Sequence, residues 1–113
     1  MKLAIIGSRS FNNFQLLQLN LQQLSFDITL IISGGATGAD SLGKKYAQKN
    51  GIPFLEYLPD YKKHGKIAPV IRNQSIVKDA DFIIAFWDGK SRGTLDAILK
   101  AKRLQKQIKI VTF

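Results

Sequence analysis

Three short stretches of this chain carry residues whose types and spacing could hold an anion. In the first, Ser33-Gly34-Gly35-Ala36-Thr37-Gly38-Ala39-Asp40, an apolar run enters a glycine-rich turn, and a helix is expected to open at Thr37. Glycines let a backbone approach a ligand closely and take positive φ without strain. A helix start adds unpaired N–H groups at the positive end of its dipole, a ready site for phosphate. The second stretch is Asp88-Gly89-Lys90-Ser91-Arg92-Gly93-Thr94. There Ser91 is expected to cap a helix and Gly93 to leave its first turn bare, while Arg92 and Thr94 can donate to an anion. The third is Gly7-Ser8-Arg9-Ser10. One such turn is also what a plain strand-to-helix connection looks like. Two of the same design aimed at one crevice suit a nucleotide, with phosphate and ribose parts.

Other chemistries find less support. Asp40 and Asp88 are the candidate catalytic carboxylates. Thr37 and Asp40 also fit a capping box with Asp in place of Glu, so a structural role and contact with a ligand hydroxyl both stay open for Asp40. The fingerprint G-x-G-x-x-G is missing after the first strand, and Gly38 to Lys45 resembles a phosphate-binding P-loop only until Lys45 takes its Ser/Thr position. His64 is the sole histidine and has no cluster of ligands around it, so no metal and no cofactor is expected. Ser8, Ser33 and Ser91 lack an evident histidine base.

These turns need a scaffold, and the pattern supplies one. Strands are expected at Lys2–Ile6, Ile28–Ser33, Ile52–Leu58, Phe82–Phe86 and Ile108–Phe113. Helices are expected over a face built on Phe14, Leu17, Leu21 and Leu24, then at Thr37–Asn50, about Ile67–Lys78, and Ser91–Gln105. Asn12 or Asn13 can cap the first of them, Gly51 stops the second, and Pro69 fits only the first turn of the third. Residues 59–66 read as a polar loop. Strand and helix alternate throughout, which predicts one α/β domain over residues 1–113: a five-stranded parallel sheet of order 3-2-1-4-5 with helices on both faces. Ligands of such sheets bind at the carboxyl ends of the strands, beside the reversal of strand order. All the suspicious turns fall on that rim.

Composition narrows the partners. The chain has 113 residues, a hydrophobic fraction of 45% and a formal charge of +9. Residues 1–43 carry Lys2 and Arg9 against Asp27 and Asp40, so the whole excess lies from Lys44 onward. Such a domain attracts polyanions, and nucleic acid remains a candidate partner, although Trp87 and Tyr61 are the only visible stacking residues beside the basic ones. No apolar run approaches the roughly 20 residues of a membrane span, so no membrane partner is expected. The absence of cysteine fits a cytoplasmic protein, and no signal peptide is read at the start. Leu16 and Leu19 lie off the main apolar face of the first helix, and a homodimer or larger oligomer is expected.

The turns, together with Phe11, Gly65-Lys66, Ile71-Arg72-Asn73, Ala80-Asp81 and Ala85-Phe86-Trp87, resemble the small YspA/YpsA-related proteins of the SLOG superfamily. That superfamily joins the DprA (SMF) proteins with the Lonely Guy phosphoribohydrolases. The resemblance covers nearly the whole chain. It implies a Rossmann-like domain that binds nucleotides or their derivatives, at Gly7, Ser8, Arg9, Ser33, Gly34, Gly35, Gly38, Asp40, Arg72, Asn73, Asp88, Ser91, Arg92, Gly93 and Thr94. It further implies that Gly93 and Thr94 match the central Gly-Thr of the Lonely Guy motif G-G-x-G-T-x-x-E, and that Arg72 corresponds to the arginine of the neighbouring helix. The glutamate of that motif falls on Ala97. Asp96 is adjacent, but one residue turns a helical side chain by about 100°. A nucleotide sensor or sequestering module is therefore the expected function. The alternatives are a nucleotide N-glycosidase working through Asp40 or Asp88, and a DprA-like nucleic-acid binder.

Overall fold

A computed structural model describes residues 1–113. Five parallel strands, β1 (Lys2–Gly7), β2 (Leu30–Ser33), β3 (Phe54–Glu56), β4 (Phe82–Trp87) and β5 (Gln107–Thr112), form one sheet of order 3-2-1-4-5. The helices are α1 (Phe14–Gln22), α2 (Ala39–Asn50), α3 (Tyr61–His64), α4 (Ala68–Asp79) and α5 (Arg92–Arg103).

The alternation of side chains along β1 decides which helix covers which face. Leu3 and Ile5 point into one core with Ile31, Ile84 and Phe86, covered by Leu17 and Leu21 of α1 and Tyr46 and Ala47 of α2. Ala4 and Ile6 point into the other, with Ile32, Ile83 and Ala85, covered by Ile76 and Val77 of α4 and Ala97, Ile98 and Ala101 of α5. The chain runs outward from β1 to β3 with its helices on the first face, then returns past β1 to β4 and β5 with its helices on the second. Direction and face reverse together, as crossovers of a single hand require. No helix is long and apolar enough to cross a membrane.

Local signals act largely as expected. Asn13 caps α1, its side chain accepting from the Leu16 amide at 3.0 Å. Gly51 closes α2 in the left-handed conformation. Other element ends shift by one or two residues, as at β2, which starts at Leu30 and not Ile28, and four details differ in kind. First, α2 opens at Ala39 instead of Thr37, because Gly38 sits at φ 78° and ψ −128°, outside any helical region. Second, residues 59–66 are not a plain loop. Asp60 caps the short α3 through the Lys63 amide, and a 3-10 turn at Gly65–Ile67 leads into α4. Third, β3 keeps only three residues of the expected strand, although the Ile31 amide still bonds Pro53 O and the Tyr57 amide Ser33 O on either side of it. Finally, Leu16 packs against the first core, so of the expected second apolar edge on α1 only Leu19 stands free, 52% exposed.

Candidate functional site

Ser8 stitches the carboxyl rim together. Its amide donates to Phe86 O at 2.8 Å, its hydroxyl accepts from the Asp88 amide at 3.1 Å, and its carbonyl accepts from the Ala39 amide at 3.4 Å. Three turns from three strands are thereby tied to one buried residue. Gly38 belongs to the same knot. A side-chain carbon there would stand 2.4 Å from Ser8 O and 2.5 Å from Arg9 O, and the positive φ excludes other residues as well. Both residues thus act as scaffold for the rim.

Between these turns and the α4–α5 pair lies a cleft of about 130 Å³. Gly7 and Arg9 line it from the first turn and Gly34, Ala36 and Asp40 from the second. Pro69, Arg72, Asn73 and Ile76 of α4 and Ser91, Gly93, Thr94 and Ala97 at the start of α5 complete the wall. Arg72 is its fixed cation. Nη1 donates to Gly34 O at 2.7 Å and, more weakly, to Tyr57 O at 3.5 Å, and Nε donates to Asn73 Oδ1 at 3.1 Å. The Nη2 donors remain for a ligand. Gly34 is required by this arrangement, because a side-chain carbon at 34 would lie 2.7 Å from Arg72 Nη1.

Asn73 is held from the other side. Its Nδ2 donates to Gly93 O at 3.2 Å and to Asp96 Oδ2 at 3.1 Å, and Asp96 pairs with Lys100 at 2.6 Å. With both amide protons spent on α5, Oδ1 must face Arg72. Lys100, Asp96, Asn73, Arg72 and Gly34 form one chain from the middle of α5 to the turn after β2. Asp96 therefore points to α4 and does not line the cleft, in line with its helical offset from the position of Ala97.

Asp40 is the one carboxylate in the cleft wall and is buried. Oδ2 accepts from the Ala36 amide at 3.1 Å, two residues before the Gly38 cap, so the Thr37–Asp40 capping box, one of the two roles open from sequence, does not form. Burial pushes the Asp40 carboxyl above its ordinary value. The Ala36 amide, the Ser33 hydroxyl, the Arg72 charge and the Gly34 amide pull it part of the way back. The Ser33 hydroxyl is fully buried and completes no hydrogen bond of proper geometry, so its influence on Asp40 is that of a nearby dipole.

Asp88 behaves in the opposite way. Oδ1 accepts from the Ser91 and Lys90 amides, both at 2.8 Å, and Oδ2 accepts weakly from Ser10. Those amides hold its carboxyl below the ordinary value. Its side chain braces the turn after β4 and lies outside the cleft wall. Ser91 occupies the N-cap position of α5, but its hydroxyl pairs with Thr94 Oγ1 at 3.1 Å instead of an amide. Arg92, expected to supply charge, is exposed and lines no part of the cleft. Gly35 faces a separate polar hollow with Thr37, Ser41, Lys44 and Glu56. Of the fifteen positions named from sequence as ligand-binding, the cleft gathers Gly7, Arg9, Gly34, Asp40, Arg72, Asn73, Ser91, Gly93 and Thr94. Sequence reading missed Ile6, Ala36, Pro69, Ile76 and Ala97 as wall residues, and for the α4 pair only the helical spacing of Pro69, Arg72, Asn73 and Ile76 could have signalled them.

The protein is a doubly wound α/β domain whose topological switch point carries two glycine-bearing helix starts and a fixed arginine, an arrangement with the chemistry to hold an anion. The chain belongs to the YspA, cpYpsA-related SLOG family (YAcAr), whose family model matches residues 1–64. The match spans β1 to α3. The α4 and α5 side of the cleft lies beyond it, where the likeness rests on the motifs. Neither the curated proteins nor the solved structures contain a match to this chain.

Proposed function

We propose that this chain binds a nucleotide or nucleotide-derived small molecule at the carboxyl ends of its strands, as a sensor or sequestering module that self-associates. The observation that carries this reading is the makeup of the α5 wall. Gly93 and Thr94 offer a bare helix start beside Arg72, while Ala97 puts a methyl group where the Lonely Guy motif has its glutamate. Anion recognition is supported and the known hydrolytic group is missing. Family membership agrees with a nucleotide-related role. Isothermal titration with nucleoside mono- and diphosphates tests the binding, and chromatography of the same mixtures tests for released base. The expected result is saturable binding with no free base. Arg72→Ala should weaken binding about ten- to a hundredfold, the value of a charge-assisted contact of roughly 1.5–3 kcal/mol.

One observation favours a second reading. Asp40 is a buried carboxyl in the cleft with a raised pKa, the property of a general acid. Hydrolysis that disappears in Asp40→Asn while binding persists would make the chain an N-glycosidase.

A further inference from the structure

A cleft of about 130 Å³ is too small for a whole nucleotide, since sites for ligands of that size run to about 300–1,000 Å³. A nucleotide anchored there must extend into a neighbouring space, and two adjoin it. One, about 250 Å³, shares Ala36 and Asp40 with the cleft and is lined mostly by polar residues, including the Lys44–Glu56 ion pair at 3.2 Å. The other, about 180 Å³, lies between the turn after β3 and α4 and shares Arg72 with the cleft.

The second space has the makeup of a slot for a flat heterocycle. Leu58, Ala68 and Ile71 give it apolar walls. Asp60, His64 and Ser75 add polar lining; Asp60 Oδ1 accepts from the Lys63 amide, the imidazole makes no hydrogen bond within the chain, and Ser75 makes only a long one of 3.5 Å to Ile71 O. Tyr57 contributes ring surface only, because its hydroxyl is taken by Asp79 at 2.5 Å. Leu58 is 66% exposed, the most exposed large apolar side chain of the molecule, and its end lies against Gly35, where a side-chain carbon would stand 2.6 Å from Leu58 Cδ2. An exposed apolar side chain beside polar groups with unused hydrogen-bonding capacity is a surface that an aromatic ring covers well.

Resting on the nucleotide-binding reading above, we infer that this space between the β3–α3 turn and α4 is the nucleobase compartment of the same site. The phosphate lies against Gly93, Thr94 and Arg72, the sugar crosses the Arg72 guanidinium, and the base enters between Leu58 and Ile71 with its polar edge toward His64 and Ser75. The hollow beside Asp40 offers Ala36 as its one apolar side chain against four around the other space, and is the poorer seat for a base.

The test separates this placement from the reading it rests on. Ribose 5-phosphate and the four nucleoside monophosphates are titrated into the full chain and into Ser75→Phe. Ser75 is exposed, so the new ring fills the compartment from the solvent side and leaves the core alone; a thermal melt checks folding. The expected result is that the best nucleotide binds the wild type at least tenfold tighter than ribose 5-phosphate. In Ser75→Phe that advantage should fall to within twofold, with ribose 5-phosphate affinity unchanged. Equal affinity of sugar phosphate and nucleotides in the wild type would overturn the compartment and leave the anion site standing. So would a nucleotide advantage that survives Ser75→Phe, by locating the base elsewhere. Failure of every probe to bind the wild type would overturn the nucleotide reading itself, and this inference with it. If Ser75→Phe does not fold, Leu58→Ala replaces it, with a loss of at least threefold for the nucleotide and none for ribose 5-phosphate expected.

Discussion

Gly93 and Asp40 each sacrifice stability at the cleft, and both sacrifices can be measured. A side-chain carbon on Gly93 would meet nothing within 4 Å, and its φ is not positive, so neither packing nor backbone conformation calls for glycine there. Gly93→Ala should stabilise the fold by a few tenths to about 1 kcal/mol through helix propensity and a less flexible unfolded chain. Gly93 lines the cleft, so phosphate or nucleotide affinity should fall with the added methyl group. A higher melting temperature together with unchanged affinity would remove Gly93 from the site. Asp40 has its pKa raised in the folded state. The folded protein therefore holds that proton more tightly than the unfolded chain, and the stability gained from it is complete below the unfolded value and lost as pH rises through the folded one. Asp40→Asn, which still offers an oxygen to the Ala36 amide, should melt higher than wild type at neutral pH, and the gap should close as pH falls below about 4. Glycines and a lone carboxylate beside a turn were legible in the sequence. Which of them face the cleft was not, because Ser8, Gly38 and Asp88 are claimed by contacts between turns that lie far apart along the chain.

At the level of elements, α4 and α5 act as one wall because Asn73 is bonded to both Arg72 and α5. Asp96→Ala leaves Lys100 buried without its partner and frees the Asn73 amide to turn over. Thermal or urea unfolding should register a loss of about 1–3 kcal/mol, and phosphate affinity should drop as Arg72 loosens. The double variant Asp96→Leu/Lys100→Met should regain most of the stability, since an apolar pair can replace a buried ion pair. It should not regain the affinity, because the acceptor that orients Asn73 is still gone. Equal recovery of both would reduce the chain of contacts to a stability device. Periodicity found each long element because each has one apolar stripe. It could not find α3, which has four residues, no buried side chain and only the Asp60 cap as a local signal. Nor could it find the true start of α2, which follows from the backbone angle of Gly38.

For the whole molecule, strand order was legible because alternating strands and helices leave few right-handed solutions, and β4, apolar throughout, had to lie inside the sheet. The expectation of association between copies had less to rest on, since helical spacing put Leu16 on an open edge that the core in fact covers. Most exposed apolar side chains lie elsewhere: Leu58, Tyr61 and Ile67 stand out between β3 and α4, and the outer flank of the paired α4 and α5 adds Val70, Leu95 and Leu99, the last two one turn apart. A self-associating chain should bury that flank, so Leu99→Lys should shift sedimentation toward monomer while Leu19→Lys should not. Salt then separates the two things a +9 molecule can do. Binding to a polyanion releases counterions and weakens steeply as salt rises. Joining two copies of a basic chain works against their mutual repulsion, which salt screens over a Debye length of about 10 Å at 0.1 M, so this association should tighten as salt rises. Sedimentation of the full chain between low and high salt should therefore show the dimer fraction growing, and fluorescence anisotropy of a labelled single strand should show any nucleic-acid binding shrinking over the same range. A dimer that falls apart with added salt would be held by ion pairs, and the apolar flank of α4 and α5 would not be its interface.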